Sequence, residues 1–189
     1  MTDGIIRQLA EAGDHLPRDA MREAIARWDE VAPDLLALLE AYAEGRDRSE
    51  AAAGTVFFIL FLAAQARERR AFPAVCRLAR DPEALEAALG DGVTESLAAI
   101  LIGTWDGDLA RLLALIEDEA ADEFARSAGF EALAWLAASG AVPLEAAEAT
   151  LRDLHARLRP RQADSFGWVG WHAAVARLGL ESLRPLAED

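Results

Sequence analysis

The chain has 189 residues, of which 53% are hydrophobic and 28% charged, and its net charge is −14. That balance excludes a disordered chain and points away from nucleic acid, whose phosphates are held by cationic side chains. A single cysteine, Cys76, excludes an intrachain disulfide and a thiolate metal cluster.

Helical spacing recurs along the chain, and no segment alternates apolar and polar residues as a half-buried strand would. Met21, Ala24, Ile25 and Trp28 lie on one helical face, with Pro17 suited to its first turn. Pro33 is expected to open a second helix, with Leu35, Leu36, Leu39 and Tyr42 on one side and Gly45 closing it. Ser49 is placed to cap a helix over 50–67. Its 51–66 stretch has 16 uncharged residues, short of the about 20 that span a bilayer, so it predicts the most buried helix of a soluble fold. Short helices follow Pro73 and Asp81-Pro82, the second with Asp81 as its expected cap and Pro82 at its first position. Thr94 is expected to cap a helix carrying Leu97, Ile100, Leu101 and Trp105. Asp108, Asp122 and Asp164 are the predicted caps of three later helices. Leu144, Ala147, Leu151, Leu154 and Leu158 form a stripe that Pro160 stops, and a last short helix covers 180–187.

The second half echoes the first. Leu62 aligns with Leu136 at an offset of 74, Ala71-Phe72-Pro73 with Ala141-Val142-Pro143 at 70, and Leu109, Leu112 and Leu115 with Leu180, Leu183 and Leu186 at 71. Such offsets suit a doubled helix-pair unit of roughly 35 residues. With no Pro-, Gly- or Ser-rich linker, residues 1–189 read as a single helical-repeat domain.

Asp122-Glu123-Phe124-Ala125-Arg126-Ser127-Ala128-Gly129 resembles the second helix of a HEAT repeat. In order, Leu16-Pro17-Arg18, Pro33-Asp34-Leu35-Leu36, Gln65-Ala66-Arg67-Glu68, Ala71-Phe72-Pro73, Trp105-Asp106-Gly107-Asp108, Arg126-Ser127-Ala128 and Trp168 are similar to the bacterial family catalogued as domain of unknown function 1186. The resemblance covers about 5–185. It implies an all-α, HEAT-like superhelix of about five antiparallel helix pairs and no established activity. Some members carry a cysteine-rich, metal-binding tail. The sequence ends at Asp189 without one, so no metal role is carried over.

Three places could carry binding. Trp105, Asp106 and Asp108 set an aromatic beside two carboxylates at a turn, fit to grip a cation, although Gly107 and a capping Asp108 explain the turn equally. Arg126 lies four residues beyond Asp122, and such an arginine braces neighbouring helices or meets a ligand. Phe166, Trp168, Trp171 and His172 crowd the final long helix, with Trp171 and His172 each adjacent to Trp168, as a docking surface or as the lid of the last apolar layer. The acids at 117–119 and 122–123 lack the spacing and glycine of a calcium loop. No catalytic motif, phosphate-binding glycine loop or metal-ligand pattern is present, so no catalytic residue, metal or cofactor is expected.

The expected function is that of a non-catalytic scaffold that binds a protein or peptide, with the acidic excess favouring a basic partner. Two alternatives stand beside it. One is an enzyme or small-molecule binder with a concave-face pocket near Trp105, Asp106 and Asp108. The other is a nucleic-acid module, which the charge disfavours. No membrane partner is expected, and an alanine-rich end layer suits homo-oligomerisation. The opening Met1-Thr2-Asp3-Gly4 lacks the cationic and apolar regions of a signal peptide, so a cytoplasmic location is expected.

Overall fold

The computed structural model describes residues 2–13, 15–159 and 165–188. All its regular structure is helical: among the described residues there are thirteen α-helices, two short 3₁₀ turns and no strand. They form two compact units, residues 1–106 and 107–189.

Unit 1 comprises α1 (Thr2–Ala10), α2 (Arg18–Ala26), α3 (Trp28–Ala43), α4 (Glu50–Gln65), α5 (Phe72–Ala79), α6 (Pro82–Leu89), α7 (Gly92–Glu95) and α8 (Leu97–Thr104). Helix α4 is its centre and touches α1, α2, α3, α6 and α8. Val56, Phe58, Ile59, Leu60, Leu62 and Ala63 are all buried, which accounts for a helix apolar on nearly every side. The Ser49 side chain accepts from the Ala52 N–H at 3.2 Å, so the predicted cap is in place. Tyr42 is fully buried in α3, and its hydroxyl donates to the Ala84 carbonyl of α6 at 3.0 Å.

Unit 2 comprises α9 (Leu109–Glu117), α10 (Glu123–Ala138), α11 (Leu144–Leu158), α12 (Gly167–Leu178) and α13 (Arg184–Ala187). Helix α10 is central and touches α9, α11 and α12. Helices α4 and α10 each have 16 residues and start 73 positions apart (123 − 50), each behind an oxygen-bearing cap. The correspondence stops at the packing. Gly103 of α8 meets α4 at Ala64 near its C-terminal end, whereas Gly170 of α12 meets α10 at Ser127 near its N-terminal end.

Several boundaries differ from the sequence reading. Helix α1 carries little signal in the sequence, because its nine residues supply only two core positions, Ile5 and Leu9. Pro33 does not open a helix. It lies inside α3, and the break falls at Arg27, whose φ of −120° interrupts the helical path. The Arg27 guanidinium then joins Glu23 and Glu30 across that break, while Val31, Ala32 and Leu35 continue one fully buried face. Thr94 is inside the short α7 rather than capping α8. Pro160 and Asp164 lie outside the described residues.

Three helices close with paired hydrogen bonds behind a left-handed residue: α3 at Gly45, α4 at Arg67 and α12 at Gly179. After α4, the Arg67 N–H donates to Ala64 and the Glu68 N–H to Ala63. Arg67, with φ 56°, is the non-glycine among them. A side chain in this conformation costs roughly 1 kcal/mol. Arg67→Gly is therefore expected to raise stability by about 1 kcal/mol, read as a higher denaturant midpoint. No change, or a loss, would mean that the arginine side chain offsets its own backbone cost.

Candidate functional site

The residues around α10, α11 and α12 hold most of the predicted binding positions of unit 2. Helix α12 lies against α10 because Gly170 has no side chain: a Cβ there would fall 2.7 Å from Ser127 Oγ and 2.8 Å from its Cα. This approach brings the Trp168 and Trp171 side of α12 into the core. Trp171 is fully buried, and its Nε1–H donates to the Leu151 carbonyl at 2.9 Å. Trp168 is also buried, with Phe130 6.4 Å away between ring centroids. His172 is exposed, and its Nδ1 lies 2.7 Å from the Trp168 carbonyl, so the tautomer with a proton on Nδ1 donates there.

His155, which has no ligand-spaced neighbour in the sequence, joins this cluster. Its ring sits 4.9 Å from Trp171 and 5.7 Å from Trp168, and the Arg159 guanidinium lies 5.6 Å over the Trp168 ring. The pair of tryptophans thus meets α11 through one histidine and one cation.

Arg126 is buried at 6% exposure. Its Nε–H donates to the Ile116 carbonyl at 2.9 Å, which ties α10 to the C-terminal end of α9. Burial lowers the guanidinium pKa, while Glu119, Asp118 and Glu123 oppose that shift. The side chain remains cationic and satisfies an end-of-helix carbonyl.

The acids between α9 and α10 have local tasks. Asp122 accepts from the Phe124 and Ala125 N–H groups, and Asp118 from that of Ala120. Glu117 receives two hydrogen bonds from Arg157, which also holds Asp153. Glu123 accepts from the Phe166 N–H at 2.9 Å. Among the described residues no three His, Cys, Asp or Glu side chains converge to hold a metal ion.

Beside Glu123, unit 2 presents an apolar surface in which Phe166, already part of the aromatic patch in the sequence, is joined by Phe124, which the sequence does not connect to it. The Phe124 and Phe166 rings are 4.6 Å apart, yet each remains about two-fifths exposed at 39% and 40%. Val169, one helical turn on in α12, is 53% exposed. Phe124 is the second residue of α10 and Phe166 immediately precedes α12, so helix ends bring together side chains 42 residues apart.

The Trp105 to Asp108 tetrapeptide crosses the boundary between the units. In unit 1, Trp105 ends α8 and packs edge-on against Phe72 at 5.2 Å, while its carbonyl accepts from Arg69 at 3.2 Å. Asp106 follows it, half-buried. In unit 2, Asp108 caps α9 by accepting from the Ala110 N–H at 3.1 Å and pairs with Arg111 at 2.8 Å.

Unit 1 also contains a buried carboxylate. Glu68 Oε2 accepts from Trp28 Nε1–H at 3.0 Å. Arg70 donates to both Glu68 oxygens, at 2.8 and 2.7 Å, and the Arg70 N–H donates to Oε1. The Arg70 hydrogen bonds, helped by Trp28, outweigh burial and lower the Glu68 pKa to about 2. A carboxylate saturated in this way fixes the α4–α5 connection and is a poor proton acceptor near neutrality.

Known proteins add relatives without an assigned role. The family model described as protein of unknown function DUF1186 matches residues 1–179. Uncharacterized proteins of Chlamydia trachomatis serovar D and Chlamydia muridarum are each 28% identical over 181 residues, covering 92% of this chain and 70% of theirs. No solved structure matches. Among the described residues no helix is long and apolar enough to cross a membrane.

Proposed function

The chain belongs to the DUF1186 family of proteins of unknown function, and on that footing we propose a non-catalytic, HEAT-like helical-repeat scaffold that docks a protein or peptide. The exposed Phe124–Phe166 pair with Val169 carries this reading. Paired aromatics at helix ends, partly open to solvent and flanked by Glu123, suit an apolar segment with basic neighbours. The matched central helices α4 and α10 support the HEAT-like plan. The buried Arg126 and Trp171 hold the docking face rather than form it. A cytoplasmic place is part of the proposal and agrees with a chain whose single cysteine is buried.

The test compares partner recovery by the native chain and by a Phe124→Ser/Phe166→Ser variant after crosslinking in native lysate. Each ring is about two-fifths exposed, so the variant is expected to stay folded with a lowered melting temperature, and capture is compared well below it. It should lose about nine-tenths of the captured partner, the effect of removing roughly 1.4 kcal/mol of binding. Undiminished capture, or no specific partner for the native chain, would reject the docking face. Gel filtration of the same pair separates self-association from a foreign partner: only a homodimer through this face would shift to monomer in the variant.

A further inference from the structure

Three glycines inside helices have a steric reason to be there. A Cβ on Gly103 would fall 2.7 Å from that of Ala64, one on Gly129 2.8 Å from Ile116 Cγ1, and one on Gly170 2.7 Å from Ser127 Oγ. Gly54 has none. It lies in the interior of α4 with ordinary helical backbone, and nothing comes within 4 Å of the position of its missing Cβ. A glycine there costs about 1 kcal/mol relative to alanine, with no packing gain in return.

The space that Gly54 leaves empty belongs to a cleft in unit 1. Two adjoining hollows of about 450 and 480 Å³ share Gly13, Gly54, Phe58 and Ala87 as lining, within the size range of small-molecule sites. At the equivalent place in unit 2, 73 positions on (127 − 54), Ser127 is covered by Gly170 of α12. In unit 1 that place is open. The walls are mainly apolar, with Phe57, Leu16 and Leu89 in one hollow and Leu9 in the other. Among the described residues, the carboxylates in the lining are Glu86 in the first hollow and Glu50 in the second, both exposed and neither paired with a cation, and the one basic side chain there is the His15 imidazole of the first hollow. Among the described residues no arginine lines either hollow.

We propose that this cleft binds a small apolar molecule bearing a protonated amine. Phe57, Phe58 and Leu89 would contact its apolar body and Glu50 or Glu86 its charge, and Gly54 keeps the floor clear. An anion of the same shape would meet two carboxylates and, among the described residues, no guanidinium. The proposal is independent of the docking face on unit 2.

Calorimetric titration of the full chain with octylamine, octanoate and octanol tests it, since these probes share an apolar body and differ in charge. Octylamine is expected to bind saturably and octanoate at least about tenfold more weakly. Glu50→Gln/Glu86→Gln should reduce octylamine to the level of octanol. Gly54→Leu should abolish binding without lowering the melting temperature, and Gly54→Ala should raise that temperature while weakening binding. No saturable octylamine binding, equal affinity for octanoate, or undiminished binding by Gly54→Leu would overturn the proposal. If Gly54→Leu does not fold, Gly54→Ala decides: a lower melting temperature than the native chain would make the glycine structural and overturn it as well.

Discussion

Glu68→Gln is expected to lower stability by about 2–3 kcal/mol at pH 7, and the deficit should shrink as the solution is acidified. The size follows from linkage. A glutamate ordinarily titrates near 4.5, and Glu68 is held down to about 2 by Arg70 and Trp28. That interval is worth about 3 kcal/mol of folding free energy, moderated because Arg70 itself is largely in water. The sign follows from the direction. A carboxylate whose folded pKa lies below its unfolded value contributes fully above about 4.5, and the contribution is lost as pH falls from there toward 2. Denaturant unfolding of both proteins at pH 7, 4 and 3 measures it. A gap under about 0.5 kcal/mol at pH 7, or one of constant size down to pH 3, would show that the charge of Glu68 is not what holds Trp28 and Arg70 together.

Gly103→Ala and Gly170→Ala should each destabilise by roughly 1–3 kcal/mol, although alanine is the better helix former. The new methyl at 103 would meet the Cα and carbonyl oxygen of Ala64, both at 2.8 Å, and at 170 the Cα and carbonyl oxygen of Ser127 at 2.8 and 2.9 Å. Backbone does not swing aside as a flexible side chain does, so a helix must move. The helix-propensity gain of about 1 kcal/mol is smaller than that cost. Thermal melts of the two variants beside Gly54→Ala separate the causes, because propensity acts on all three and crowding on only two. If all three gained stability, the close approaches of α8 to α4 and of α12 to α10 would be wrong.

Within this family fold, local chemistry was readable before any coordinates. Ser49, Asp81, Asp108 and Asp122 cap helices as expected, since a cap needs only a side-chain oxygen two or three residues from a free N–H. The centrality of α4 was equally plain from its uncharged run. Pro33 reads as a helix opener because proline fits the first turn best, yet it is the sixth residue of α3, where the buried face from Val31 onward keeps the helix continuous despite the lost hydrogen bond.

The candidate site was legible only in pieces. The sequence marks Arg126 and the Trp168–Trp171 pair as two separate places, and the burial of the tryptophans depends on Gly170 meeting Ser127, a contact spanning 43 residues. Phe124 and Phe166 carried no signal as a pair, because no periodicity relates the start of one helix to the start of another. The same holds for Trp28 with Glu68, and for the cleft around Gly54.

From its residues alone this chain is committed to helices, to their caps, and to a strongly acidic, alanine- and leucine-rich body, because those properties arise within a few neighbours along the backbone. Which side of each helix is covered, which carboxylate is buried and which glycine faces open space were decided only by helices meeting across tens of residues, where packing depends on the shape of the opposing surface.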